Sequence, residues 1–324
     1  MSRFADFGND LYTGKRSINF IGRRKAFYVV AVVMIAAAVV LPILRGGFNL
    51  GIEFRGGSEF RVTNSQVKDQ AAATQAVQSV VPTVVANTTN VGTDSIRVQT
   101  TQLTPTQSES VRQALAKAYK VPSNSVSSSF VGAEWGQDIT AKAVNGLIWF
   151  LVLATVLMAL YFRTLKMSAA AILALIHDLI ITAGVYGALG FEVTPAAVIG
   201  FLTILGYSLY DTVVVFDKIR ENTFEVEFSE SRTFGEQVNL AVNQTLVRSI
   251  NTSVVAVLPV AAILFIGAIV FGAGTLRDIS LALFIGIIVG TYSTIFIAAP
   301  MYSHLREGEP KYKKAAQKVL AARA

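Results

Sequence analysis

The sequence predicts an α-helical membrane protein with several spans and a small α+β domain outside the membrane. Of its 324 residues, 52% are hydrophobic and 15% are charged, and the mean hydropathy is +0.52. A globular core of this size cannot hide so large an apolar fraction, so the lipid bilayer is the expected solvent. Six apolar segments are long enough to cross it, and a long polar segment separates the first from the second.

Each predicted span holds about 20 mostly apolar residues, the length that crosses roughly 30 Å of hydrocarbon. The first follows a basic segment, Arg23 to Lys25, and in this respect is like a signal peptide. Its apolar stretch is longer than that of a signal peptide and no small-residue cleavage site follows, so we expect an uncleaved anchor. The predicted spans are residues 26–44, 143–162, 168–191, 195–216, 249–271 and 279–301.

Lysine and arginine near the ends of the spans predict which side of the membrane each end faces. Residues 1–25 and the tail, residues 304–324, are both basic, so both are expected in the cytoplasm of a bacterial cell. Six spans agree with this orientation, which only Arg277 in a turn opposes. The net charge of +7 then reflects topology and attraction to anionic membrane lipid, and no nucleic-acid recognition module is visible.

The residue types that bind metals are scarce. The chain has no cysteine, which excludes disulfide frameworks, thiol nucleophiles and cysteine-ligated metal sites. His177 and His304 are the only histidines, so a site built from histidines is not expected. We therefore expect no metal and no cofactor.

The polar segment, residues 45–140, alternates strand and helix patterns in the order β-α-β-β-α-β. The second helix has a clear start signal, with Thr104 as N-cap, Pro105 in the first position and Gln107 completing a capping box. This order predicts a ferredoxin-like domain with helices on one face of the sheet, a fold that by itself indicates no function. The predicted elements are strand 58–63, helix 66–81, strands 83–89 and 95–100, helix 105–119 and strand 125–131.

A glycine-rich motif follows the first span. Its glycines Gly51, Gly56 and Gly57 permit a tight connection between the membrane and the domain, because glycine adopts backbone angles that other residues avoid. Alternatively, Glu53 and these glycines form part of a working junction between the domain and its membrane base. The sequence leaves both interpretations open.

Charged residues inside a span cost several kcal/mol and are functional candidates by default. His177 and Asp178 interrupt the third span near its middle, either as a structural hydrogen-bonded pair or as part of a polar network. Asp211 lies inside the fourth span, where burial and a neighbouring cation would act on the carboxyl in opposite directions. Tyr207 lies one helical turn away on the same face.

Arg248 opens the fifth span and has two interpretations. It could extend to the interface as arginines at helix ends do, or it could pair with Asp211 across the loop between the fourth and fifth spans. Thr252 continues the polar character of this turn and is a candidate for a supporting network. In the last span, Gly286 and Gly290 have the spacing of a close helix contact, a signal that many spans show by chance.

Together these motifs resemble the SecD/SecF family of the bacterial protein-export machinery, which is related to the resistance–nodulation–division transporters. The order of one span, a compact domain and five spans is similar, as are four motifs. These are GIEFRGG at residues 51–57, GYSLYDTVVVFDKIREN at 206–222, TLVRSINTS at 245–253 and GTYSTIFIAAP at 290–300.

The resemblance implies an accessory translocase subunit rather than an enzyme. Such a subunit works with SecD and the SecYEG channel, after the ATPase SecA, and uses the proton-motive force to draw exported unfolded polypeptide across the plasma membrane. The family's transmembrane acid corresponds to Asp211, its essential arginine to Arg248, and its His-Asp pair to His177 and Asp178. The implied fold is a half-bundle of the resistance–nodulation–division type, which needs a homologous partner half.

The chain departs from the family pattern at Glu53, Arg55 and Tyr210. Tyr210 puts the hydrogen bonding around the neighbouring acid in doubt. Three other functions remain open: a stand-alone proton-coupled exporter of small molecules or lipids, a scaffold that transduces no energy, and an intramembrane protease. The protease would require the carboxyls of Asp178 and Asp211 within hydrogen-bonding distance.

Overall fold

The fold is seen in a computed structural model that describes residues 3–65, 69–92, 94–224, 231–267 and 274–323. Two predicted elements extend beyond these residues. Residues 66–68 of the predicted helix 66–81, and residues 268–271 of the predicted span 249–271, lie outside the described residues.

Within the described ranges, six helices are long and apolar enough to cross a membrane, as the sequence predicts. The fifth ends in a π-helical turn, Ile263–Gly267, and the sixth contains another at Thr294–Ala298. Such turns are frequent at functional sites. The first to sixth spans are Arg24–Leu44, Ala133–Phe162, Leu165–Leu189, Pro195–Thr223, Phe234–Gly267 and Gly274–Glu307.

Four of these helices are longer than their predicted spans. The second begins at Ala133 rather than at residue 143, the fourth continues to Thr223 rather than ending at residue 216, and the fifth begins at Phe234 rather than at residue 249. The sixth begins at Gly274 rather than at residue 279 and continues to Glu307 rather than ending at residue 301, whereas the first and third differ from prediction by three residues or fewer at each end. Hydropathy detects only the part of a helix that is suited to lipid, whereas the hydrogen-bonded helix continues into water.

The α+β domain contains a four-stranded sheet with the order β3-β4-β2-β5, in which every neighbouring pair is antiparallel. This is the predicted ferredoxin-like arrangement. Its helices are Gln70–Val80 and Pro105–Tyr119, and the second begins with the predicted capping box. The strands are β2 (Gly57–Val62), β3 (Asn87–Val91), β4 (Ser95–Thr100) and β5 (Val126–Val131).

Both helices cover one face of the sheet, where Phe60, Val98 and Leu115 are fully buried in the core. The predicted strand 83–89 is wrong at its start, because β3 begins only at Asn87. The residues before Asn87 lie outside the sheet, with Val84 packed against the core and Val85 exposed. The opposite face of the sheet is polar and faces the membrane bundle.

A second, two-stranded sheet joins the domain to the bundle. The strand β1 (Asn49–Leu50) follows the first span, and β6 (Glu192–Val193) lies in the turn between the third and fourth spans. They pair in parallel, and the amide of Gly51 donates to the carbonyl of Val193 at 2.9 Å. A short helix, Ile52–Arg55, then leads into β2. Neither short strand is predicted from the sequence, because two residues carry no periodic pattern.

The spans form a central and a peripheral group. The spans differ in how much of an apolar 18-residue stretch is buried by the rest of the protein. The buried share is 56%, 44% and 56% in the third, fourth and sixth spans, and 17%, 11% and 6% in the first, second and fifth. Glycines allow the close central contacts: a side chain at Gly286 would overlap Ile204, and one at Gly290 would meet Ser208. The Gly286 and Gly290 surface therefore packs the sixth span against the fourth.

Both termini lie at the end of the bundle opposite the α+β domain. The N-terminal helix, Arg3–Tyr12, is followed by a segment whose main chain is held by two side chains of the fifth helix, Asn239 and Asn243. The C-terminal helix, Pro310–Arg323, packs Tyr312 on the start of the same helix. The extended fifth helix is thus the common support of both ends of the chain.

Candidate functional site

Asp178 is completely buried in the third span and ties the three central spans together. Its Oδ2 accepts hydrogen bonds from Ser208 of the fourth span at 2.6 Å and from Ser293 of the sixth at 2.8 Å. Its Oδ1 lies 3.2 Å from Nδ1 of His177. Both oxygens of this carboxyl therefore have partners.

Asp211 occupies a different environment in the fourth span. It is also buried, with 5% of its surface exposed, and its Oδ1 accepts a hydrogen bond from Ser249 of the fifth span at 2.8 Å. Its Oδ2 is buried and has no hydrogen-bond partner among the described residues. An oxygen in this state can receive a proton without breaking an existing hydrogen bond.

Of the two interpretations of Arg248, the structure shows the exposed side chain and not a pair with Asp211. The described part of the chain contains no ion pair or hydrogen bond between these side chains, and Arg248 is exposed on the outer face of the fifth span. Consecutive helical residues point about 100° apart, so the side chain that reaches Asp211 is that of the next residue, Ser249. The hydroxyl of Thr252 donates to the main-chain carbonyl of Arg248 at 2.9 Å and does not join either acid.

Hydroxyl groups surround the two acids, and most of them were missed in the sequence. Tyr207 donates to Ser253 at 3.3 Å, and Ser253 lies 2.5 Å from the hydroxyl of Thr291. Thr212 and Thr294 face each other at 3.0 Å, so the π-helical turn of the sixth span places a hydroxyl beside the residue that follows Asp211. The spacing of Ser249 and Ser253, one turn apart, was the available signal.

His177 contributes a second unpaired polar atom to this region. Its Nδ1 faces Asp178, whereas its Nε2 is buried without a hydrogen-bond partner in the described ranges. The nearest ring is that of Tyr292, with 6.3 Å between centroids. His177 and Asp178 thus form a contact pair, as the sequence suggested, and only the carboxyl is bonded to other helices.

The glycine-rich junction lies where the domain meets the bundle. Glu53 has one buried oxygen without a partner in the described residues, and burial raises the pKa of its carboxyl, as do the carboxylates of Glu192 and Glu59. A side chain at Gly51 would displace the carboxyl end of Glu53, and Gly56 has a φ of 76°, which glycine tolerates best. Gly57, with φ of 151°, lies against the carbonyl of Thr100.

The described residues contain no group of three or more histidine, aspartate or glutamate side chains placed to hold a metal. Buried carboxyls that accept hydrogen bonds from hydroxyl groups, as these do, can bind protons and exchange hydrogen bonds. A bundle of membrane-spanning helices with buried carboxyls and an α+β domain at one end defines a polytopic membrane protein with ionisable groups inside the bilayer.

Comparison with known proteins identifies this architecture. The family model "Protein export membrane protein SecD/SecF, C-terminal" matches residues 110–308, and "SecD/SecF GG Motif" matches residues 43–63. The chain is 43% identical to the protein translocase subunit SecF of Streptomyces coelicolor, covering all of this chain and 86% of the relative. It is 34% identical to the corresponding protein of Rhodothermus marinus, covering 89% and 92%. The chain belongs to the SecD/SecF family of protein-export membrane proteins.

Longer relatives combine this unit with additional sequence. The protein translocase subunit SecDF of Thermus thermophilus is 32% identical, and the match covers 93% of this chain but 40% of that protein. The crystal structure of a SecDF described as a translocon-associated membrane protein superposes with a TM-score of 0.76 at 29% identity. That match covers 90% of this chain and 39% of the other, so this chain spans about two fifths of SecDF.

Proposed function

We propose that this chain is the SecF-type subunit of a protein translocase and uses the proton-motive force to promote late translocation and release of exported polypeptides. The names of its relatives, protein translocase subunit SecF and SecDF, support the translocase role. The observation that carries the proton-coupling role is the environment of Asp211, a buried carboxyl with one bonded and one unpartnered oxygen.

The proposed cycle starts with protonation of Asp211 at Oδ2 from the outer side of the membrane. A neutral carboxyl holds Ser249 less strongly than a carboxylate does, because hydrogen bonds to ionised groups are about twice as strong. The fifth span then loosens from the fourth. Release of the proton to the cytoplasm restores the charge and attracts Arg248, which must rotate with its helix to reach the carboxylate.

The energy available from each proton is modest. One charge that crosses a potential of 100 mV supplies about 2.3 kcal/mol. This is enough to shift the balance between two helix arrangements but not to pull a long polypeptide in one step. Repeated cycles are therefore part of the proposal.

A homologous partner half, SecD, is expected against the face that carries Tyr210, Arg248 and Asn251. These polar side chains are exposed at the surface of the fourth and fifth spans, where lipid would solvate them poorly. The SecDF relative, of which this chain matches 40%, provides the remaining length in the same polypeptide. The SecYEG channel, SecA acting indirectly, exported polypeptide and membrane lipid are the other proposed partners.

A bacterial plasma-membrane location with both termini in the cytoplasm completes the proposal. The six spans and the position of both termini at one end of the bundle support this orientation. At this end of the bundle, Arg24 of the first span pairs with Glu307 of the sixth at 2.5 Å, and Arg323 of the C-terminal helix pairs with Glu236 of the fifth helix at 2.8 Å. The α+β domain then lies on the outer side, where exported chains emerge.

The test is the release of a secreted reporter from spheroplasts that express this chain with its SecD partner, with the proton gradient intact or collapsed. Asp211→Asn should slow late release and remove its dependence on the gradient. Asp217→Asn is the matched control, because this carboxyl lies on the same helix and accepts a hydrogen bond from Tyr161 at the bundle surface. If Asp211→Asn releases the reporter normally at equal membrane levels, the chain acts as a scaffold and the coupling proposal fails.

A further inference from the structure

Among the described residues, the buried side chain of Glu192 joins the polar face of the domain sheet to the membrane bundle. This residue is 7% exposed and lies in β6, between the third and fourth spans. It forms an ion pair with Arg97 and accepts a hydrogen bond from Nε2 of Gln99 at 2.7 Å, both residues of β4. Gln99 also donates to Glu59 of β2 at 3.0 Å, which extends the contact across two strands of the sheet.

The main chain reinforces this contact. The strands β1 and β6 pair in parallel beside Glu192, with Leu50 opposite Val193. Away from this point the sheet and the bundle separate, and a cavity of about 330 Å³ lies between them, lined in part by Arg61 and Arg277. The side-chain bridge between the sheet and the bundle is therefore concentrated at Glu192.

The turn that carries Glu192 is tied to all three central spans. Thr194 caps the fourth span and its hydroxyl donates to Oδ2 of Asp278, in the sixth span, at 3.0 Å. The hydroxyl of Tyr186, in the third span, donates to the main-chain carbonyl of Asp278 at 2.7 Å. These are the spans that hold the buried acids, whereas the covalent connections of the domain lead to the peripheral first and second spans.

We propose that Glu192 is a positioning residue that transmits movement of the central spans to the α+β domain, and that its contact with Arg97 and Gln99 stays closed throughout the transport cycle. This inference rests on the proposed function. Opening the contact would leave a buried carboxylate without its cation, an arrangement that is strongly unfavourable. The domain and the outer ends of the central spans therefore move as one body.

The first test breaks the contact. Glu192→Ala should leave reporter release slow and independent of the proton gradient, at unchanged membrane level. The double exchange Arg97→Glu with Glu192→Arg should restore part of the gradient-dependent release that either single exchange removes. Glu109→Gln is the control, because it removes an exposed ion pair with Arg112 in the same domain and should have no effect. Normal gradient dependence in Glu192→Ala would overturn the inference.

The second test locks the pairing of β1 with β6 beside the contact and does not depend on the stability of a weakened variant. The chain contains no cysteine, so Leu50→Cys with Val193→Cys introduces a single pair, and neighbouring residues of paired strands lie within disulfide range. Release should be equal before and after oxidation if the domain and the central spans move as one body. Loss of gradient-dependent release on oxidation, recovered by reduction, would show that the junction of β1 with β6 must open and would contradict the inference.

Asp211→Asn, assayed in parallel, separates this inference from the proposed function. If Asp211→Asn retains gradient-dependent release, proton coupling at Asp211 is wrong. If Asp211→Asn loses it while Glu192→Ala keeps it, coupling stands and only the role of Glu192 is wrong.

Discussion

Two buried acids of the bundle, Asp178 and Asp211, lie on adjacent central spans and differ from each other in how their oxygens are bonded. Asp178 has partners on both oxygens, from the fourth and sixth spans and from His177. Asp211 has one partner, Ser249, and one oxygen without any in the described structure. A fully bonded carboxyl holds helices together, whereas a half-bonded one can change its bonds. Burial alone does not distinguish these roles.

The largest expected effect is on stability at Asp178. Asp178→Ala leaves the hydroxyl of Ser208 without its acceptor, whereas Ser293 keeps the carbonyl of Gly290 at 3.1 Å, and a buried group left unsatisfied costs about 1 to 3 kcal/mol. We expect a clear fall in the thermal unfolding midpoint of the purified protein and in its membrane level. Asp211→Ala should lower the midpoint less. Equal falls in the unfolding midpoint for Asp178→Ala and Asp211→Ala would mean that the two carboxyls stabilise the fold to the same extent.

A smaller loss of stability is expected when an added methyl group pushes Ser208, a partner of Asp178, out of position. A methyl group at Gly290 would lie 3.0 Å from Cβ of Ser208 and push this hydroxyl from the carboxyl. Gly290→Ala should destabilise the protein by about 1 to 3 kcal/mol, the usual cost of overpacking. Gly206→Ala is the control in the isolated subunit, because a methyl group there meets nothing within 4 Å. Identical unfolding midpoints for the two variants would contradict this account.

Ser249→Ala removes the hydroxyl that donates to Oδ1 of Asp211 in the described structure. We expect a loss of about 1 kcal/mol in unfolding free energy, close to the value of one hydrogen bond. Gradient-dependent release should fall much more than stability. Ser208→Ala removes one partner of Asp178. It should lower the unfolding free energy more than it lowers gradient-dependent release. A Ser249→Ala variant with normal release would mean that this hydrogen bond plays no part in coupling.

The smallest expected effect is on docking of the tail helix outside the membrane, where Glu236 forms an ion pair with Arg323. The hydrogen bonds from Arg323 lower the pKa of Glu236 from 4.5 to about 2. The pair therefore stabilises docking of the tail helix above pH 4.5, and this stabilisation is lost as the pH falls toward 2. Limited proteolysis of the tail should accelerate over this range. Glu236→Gln should be cleaved at one rate across it, and a persistent pH step in that variant would assign the titration to another group.

Local patterns in the sequence predicted the elements better than their contacts. Hydrophobic length located the six spans, and the β-α-β-β-α-β order gave the domain fold. Asp178 and Asp211 could be selected because charge in a span is costly. Their partners could not, since Ser208, Ser249 and Ser293 are ordinary serines until the helices are packed. Arg248 was favoured over Ser249 for its charge, although helix rotation decides which side chain faces the acid.

Glu192 shows the same limit outside the membrane. Nothing in the local sequence distinguishes it from any glutamate in a turn, and its importance depends on the distant strand that carries Arg97. The junction glycines were recognisable because backbone angles are a local property. The acids that lie beside these glycines could not be predicted, because their positions depend on the whole fold.

Infrared difference spectroscopy of the protein reconstituted with its SecD partner tests the central claim most directly, since protonated carboxyls have their own carbonyl band. The account predicts that imposing a proton gradient changes this band, that Asp211→Asn abolishes the change, and that Asp178→Asn leaves it in place. A gradient-dependent band that survives Asp211→Asn and disappears in Asp178→Asn would contradict the account and assign proton coupling to the fully bonded acid.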